Sequence, residues 1–122
     1  MNKKFSILSF RYAFEGLLAA FREEPNLKFH FLAGFMAVVL GLFLNISKSD
    51  WTIVLILIGF VIAVELTNTA IEVVVDGLTK QHHPAAKIAK DISAGAVLVA
   101  ALPASVVGIL VFWPYLKPLA LP

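Results

Sequence analysis

The apolar run over residues 51–64 leads straight into Glu65-Leu66-Thr67-Asn68-Thr69-Ala70-Ile71-Glu72-Val73-Val74-Val75-Asp76, and this junction constrains the chain more than any other stretch. Read as one helix at about 100° per residue, it gathers Glu65, Asn68, Thr69, Glu72 and Asp76 within roughly 100° of arc, with Leu66, Val73 and Val74 elsewhere. A carboxylate in a membrane helix costs at least about 2.5 kcal/mol near the bilayer centre and usually marks an ion path, a proton relay or a substrate site. Glu65 to Asp76 spans roughly 16 Å of helix. Glu65 is therefore the deeper acid, and Asp76 the one near water, if the polar end of this helix meets cytoplasm.

What surrounds that face is lipid. With 122 residues, 60% of them hydrophobic, and a mean hydropathy of +0.89, residues 1–122 read as a single-domain, all-α integral membrane protein. No cysteine is present, which excludes disulfides, iron–sulfur clusters and thiol nucleophiles. The formal charge of +2 is spread along the chain without a basic stripe, so nucleic acid is not an expected partner.

Ile7, Phe10, Phe14, Leu17, Leu18 and Phe21 recur at helical spacing among Lys4, Arg11, Glu15, Arg22 and Glu23, which predicts an amphipathic surface helix over about 5–24. Charges punctuate this segment throughout, unlike the unbroken apolar core of a signal peptide. Pro25 breaks it, and a new helix begins around Asn26. Spans are expected over about 29–46, 51–76 and 92–113. Ala33, Gly34, Ala37 and Gly41 in the first allow close approach of another helix. Residues 45–50 read as a turn and 77–91 as a polar connection, while Pro103 should kink the third span and Pro114, Pro118 and Pro122 should keep the tail from being helical. Lys3, Lys4, Arg11, Arg22, Lys28, Lys80, Lys87 and Lys90 flank one side of the membrane, against Lys48 and Lys117 on the other. The first side, with the N-terminus, is predicted to be cytoplasmic, and the C-terminus to lie outside.

Two carboxylates about two turns apart, joined by a third acid from another helix, suit magnesium held together with phosphate oxygens. A deeper carboxylate is placed to take the proton of an alcohol arriving laterally from the bilayer. Lys90, beside Asp91, suits transferring phosphate charge. Neither a G-x-x-x-x-G-K-[ST] motif nor a kinase-type glycine loop is present, so side chains of this face must do the phosphate binding.

These residues resemble the small prokaryotic diacylglycerol kinase family along Glu65-x-x-Asn68-Thr69-Ala70-Ile71-Glu72-x-x-x-Asp76. The likeness extends to Ala20-Phe21-x-x-Glu24-x-Asn26 and to Ala89-Lys90-Asp91-x-x-Ala94-Gly95-Ala96-Val97, nearly the full chain. It implies a homotrimer in the bacterial cytoplasmic membrane, with composite active sites between subunits, that phosphorylates a lipid alcohol using ATP and Mg2+. On matching positions it implies Glu65 as base, Glu24 and Glu72 as metal ligands, and Asn68, Asp76, Lys90 and Asp91 as further active-site groups. Asn26-x-x-x-His30 and His82-His83-Pro84 resemble the Gram-positive branch, which favours undecaprenol over diacylglycerol as acceptor. Thr67 and Pro25 depart from the common pattern, and Pro25 bears on how Glu24 is aimed.

Plainer readings stand beside these. The acidic face alone also suits a seam that glues helices, or a non-enzymatic oligomer conducting protons or cations, although residues 51–64 offer no polar continuation across the bilayer. Glu24 alone reads as an acid complementing a helix dipole, and Asp91 alone as the N-cap of the third span. His82 and His83 read as a solvated loop, since adjacent helical residues diverge by about 100°. His30 reads either as an interfacial polar group or, with Asn26, as a lipid headgroup contact.

Overall fold

The computed structural model describes residues 7–121. Four helices follow in order: α1 (Ile7–Glu23), α2 (Pro25–Leu44), α3 (Lys48–Leu78) and α4 (Pro84–Ala120). The last three are long and apolar enough to cross a membrane. The chain is therefore all-helical and multi-pass. The ends of the expected surface helix at residues 5 and 6, the basic residues Lys3 and Lys4, and Pro122 lie outside the described residues.

Only Glu24 separates α1 from α2. A residue preceding proline is pushed out of the α region, and Glu24 takes φ −111°, ψ 108°. Pro25 then occupies the first turn, where its missing donor costs nothing. Phe21 and Phe31 meet edge to face across the break, with ring centroids 5.5 Å apart. No residue of α1 is buried.

α2 and α3 are antiparallel and close. A Cβ on Gly34 would stand 2.9 Å from Ile58 Cγ2, and one on Gly41 would stand 2.8 Å from Trp51 Cη2. The small residues of α2 thus admit α3 side chains, as membrane helix packing requires. Asn45 turns the chain in the left-handed region at φ 53°, its N–H donating to Gly41 O, and Ser47 caps α3 by accepting from Asp50 N at 3.1 Å. The turn is thus shorter than the predicted residues 45–50.

α4 forms the main pairing with α3 and departs most from expectation. It begins at Pro84, well before the predicted residue 92, with His83 Nδ1 accepting from Ala85 N at 3.1 Å. Asp91 lies inside the helix and is not its N-cap. Hydropathy marks where a helix enters lipid, and this helix runs on into water. It also continues through Pro103, Pro114 and Pro118 to Ala120, so the expected non-helical tail is helical. Each proline removes one donor, but packing offsets the loss. Tyr115 and Leu116 pack with Ile46, Val54, Val111 and Phe112, the apolar cluster at this end of the bundle. The Tyr115 hydroxyl accepts from Ser47 N at 3.1 Å and donates to Asp50 Oδ2. The α2–α3 turn and the end of α4 are thereby tied together.

Candidate functional site

At the other end of the bundle the acidic face of α3 is only partly satisfied. Glu65 is 1% exposed, and Asn68 and Thr69 are buried with it. Thr69 donates its hydroxyl to Glu65 O at 3.0 Å, which absorbs it into the helix backbone and removes it from the chemistry. Asn68 Nδ2 donates to Glu72 Oε1 at 3.3 Å. Glu65 Oε1 and Asn68 Oδ1 are buried without a hydrogen-bond partner. Leaving such a group unpaired costs about 1–3 kcal/mol, more if charged, so two on neighbouring turns of one face ask for a ligand or a reaction.

Glu24 faces this cluster from the α1–α2 break. Burial, and then the charges of Glu72, Glu65 and Glu23, hold its carboxyl above the usual carboxylate range. Glu24, Glu65 and Glu72, from two parts of the chain, therefore share one negative field, which Lys90 meets from the side of Glu72. A hard divalent cation is the natural counter-charge for carboxylate and amide oxygens in such a setting. Among the described residues, no group of three or more His, Cys, Asp or Glu side chains is gathered tightly enough to hold a metal alone. The donor set fits a cation completed by phosphate oxygens, and Glu24, Glu72 and the free Asn68 oxygen are the groups that would hold it.

Towards solvent, Lys90 Nζ bonds Asp76 Oδ1 at 2.9 Å, joining α4 to α3. Lys87 pairs with Asp91 one turn along α4. Lys90 thus answers Asp76, while its sequence neighbour Asp91 answers Lys87. Exposed pairs of this kind contribute little stability and exchange partners readily. Asp76, Thr79, His82, His83, Lys87 and Lys90 line an open polar cleft of about 340 Å³. Lys87 escapes a motif-based reading; its i, i+4 spacing from Asp91 is the signal that finds it. His82 is exposed as expected, while His83 serves as the cap of α4.

His30, expected at the interface or against a lipid headgroup, stands beside Glu65. It is half-buried, and its Nε2 lies 3.6 Å from Glu65 Oε2. Glu65 sits on a different helix, so no spacing in the sequence could reveal this. Asn26 is exposed on the first turn of α2. From His30 an apolar groove of about 330 Å³ runs away from the acids, between Gly34 of α2, Val54, Ile58 and Ile62 of α3, and Gly108 of α4.

The chain is similar to a known family and to several named proteins. The profile of the prokaryotic diacylglycerol kinase family matches residues 11–112. Undecaprenol kinase of Bacillus subtilis (strain 168) is 43% identical over 108 residues, covering 88% of either chain. Diacylglycerol kinase of Synechocystis sp. is 39% identical over 84% of this chain and 59% of its own length. Diacylglycerol kinase of Escherichia coli (strain K12) is 30% identical over 85% of both.

Proposed function

Since the chain belongs to the prokaryotic diacylglycerol kinase family and is a membrane lipid kinase, we propose that it transfers the γ-phosphoryl group of ATP to the hydroxyl of undecaprenol. The observation that carries this reading is the buried, unpartnered Glu65 Oε1 beside a carboxylate cluster and a polar cleft. A nucleotide triphosphate reaches the cleft from water, where Lys90 and Lys87 exchange Asp76 and Asp91 for phosphate oxygens. Glu24 and Glu72 would hold Mg2+, with the free Asn68 Oδ1 as a further oxygen donor to it; that cation would supply counter-charge for the phosphoryl group. Glu65 takes the proton of the acceptor hydroxyl as its oxygen bonds to the γ-phosphorus and the bond to ADP breaks.

Each element suits its depth. An acceptor anchored by its chain arrives from the lipid, where Glu65 stands; ATP does not follow it there. α1 lies on the cytoplasmic surface, with its apolar residues towards the headgroups. The described residues of one chain gather no complete metal shell. That favours a homotrimer with sites shared between subunits. A conducting oligomer is less well supported, because residues 53–64 of α3 carry no polar side chain between the two polar ends.

Undecaprenol is preferred because the Bacillus relative of that name is more similar than the enteric diacylglycerol kinases, and because His30 stands beside Glu65. Purified protein with labelled ATP and Mg2+, given undecaprenol or diacylglycerol in mixed micelles, tests this directly. Label should enter undecaprenol faster. Label only in diacylglycerol would reassign the acceptor, and label in neither would remove the kinase reading.

A further inference from the structure

Among the described residues neither carboxylate oxygen of Glu65 makes a hydrogen bond. Thr69 spends its hydroxyl on the Glu65 carbonyl, and the amide of Asn68 is turned to Glu72. Glu24 and Glu72 reach Glu65 only with like charge. No hydrogen bond therefore fixes the last torsion of this base, which is broad for a carboxylate, or sets which oxygen it presents. His30 Nε2, at 3.6 Å from Oε2, is the group that approaches it from another helix.

We propose that His30 is a positioning residue for Glu65: its Nε2–H holds Oε2, which leaves Oε1 turned to the acceptor hydroxyl. This rests on the reading of Glu65 as the base. The distance lies just beyond a hydrogen bond, and such bonds commonly tighten only once substrate is present. The fold brings the two together for a definite reason. Gly34, one turn beyond His30, has no side chain, so α2 settles against Ile58 and brings half-buried His30 level with Glu65. His30 also packs edge to face with Phe29 at 5.7 Å, which restricts its ring. An imidazole N–H orients the carboxylate through one directed hydrogen bond. The role is thus one of aim, and the transferred proton stays with Glu65.

Two opposed substitutions separate donor from shape. His30→Phe keeps a ring against Phe29 but has no N–H; His30→Gln loses the ring but keeps a donor of similar reach. Turnover of the trimer in mixed micelles, with ATP and acceptor varied separately, should fall about 10- to 100-fold for His30→Phe, as expected for a misaligned reacting group. The fall should be in kcat, with KM for ATP unchanged, and His30→Gln should restore most of it. Adding His30→Phe to Glu65→Gln should then cost nothing more, because the group it aims is gone. Wild-type turnover in His30→Phe, a greater loss in His30→Gln than in His30→Phe, or a full multiplicative loss in the double variant would overturn the proposal. The reading beneath it fails separately: Glu65→Gln would then turn over near the wild-type rate, whatever the His30 variants do.

Discussion

The two ends of the bundle are both polar and differ in whether that polarity is satisfied. At the Tyr115 end, one hydroxyl accepts from Ser47 N and donates to Asp50, Ser47 caps α3, and apolar side chains close over the turn. At the Glu65 end, two buried oxygens lack partners, and Glu24 feels three other acids. A satisfied network fixes structure, whereas an unsatisfied one retains polar groups against their cost and is where chemistry is expected. The contrast also orders what substitutions should do.

Glu72→Gln carries the largest expected loss outside the base itself. If Glu72 holds the cation, the substitution should lower turnover by about 10²–10³-fold and weaken Mg2+–ATP binding, with the assembly state unchanged. Nucleotide affinity unchanged in that variant would take Glu72 out of the metal role. The sidedness of the comparison is all or none. A cysteine at exposed Ser49 should react with an impermeant thiol reagent in intact cells and one at Gln81 should not; the reverse would put the acidic end outside, away from ATP. Ser49 is the better reporter than Ser47, whose side chain caps α3.

Tyr115→Phe should do the opposite of the acidic-end variants. Losing the hydroxyl that joins Ser47 N to Asp50 should cost about 1 kcal/mol of stability, seen as a lower melting temperature, while turnover of the folded protein is unchanged. A catalytic defect at full stability would mean that the ends are coupled. Glu24→Gln gives the smallest shift, and in the unusual direction. Glu24 binds its proton more tightly in the folded chain than a free carboxyl does, so folding loses stability as pH rises from the ordinary carboxyl pKa to the raised folded one, and stays lower above it. Removing the charge should leave the metal-free melting temperature at neutral pH equal or slightly higher, although activity falls. A lower melting temperature would show that Glu24 serves the fold.

Much of the acidic end was legible because one helix carries it: helical periodicity alone puts Glu65, Asn68, Glu72 and Asp76 on one side. The three spans were legible because lipid demands long apolar runs. What escaped depends on other helices or on water. The pairing of His30 with Glu65 and of Lys90 with Asp76 arises from how α2 and α4 lie against α3, which no local spacing encodes. The early start of α4 escaped because hydropathy does not report a helix once it has left the apolar region. Its continuation through Pro114 and Pro118 escaped because proline's local penalty is plain in a sequence, whereas the packing of Tyr115 and Leu116 that offsets it is not.

The most direct test of the account pairs two numbers on one variant. Glu65→Gln keeps size and most hydrogen-bonding capacity but does not accept the proton, so turnover should fall by about 10²–10⁴-fold. Mg2+–ATP affinity should change little, since the lost interaction belongs to the transition state. Both should be measured beside wild type in the same detergent, with the trimer verified. Turnover near wild type would contradict Glu65 as the base, and loss of ATP binding in step with the rate would move it into the metal site.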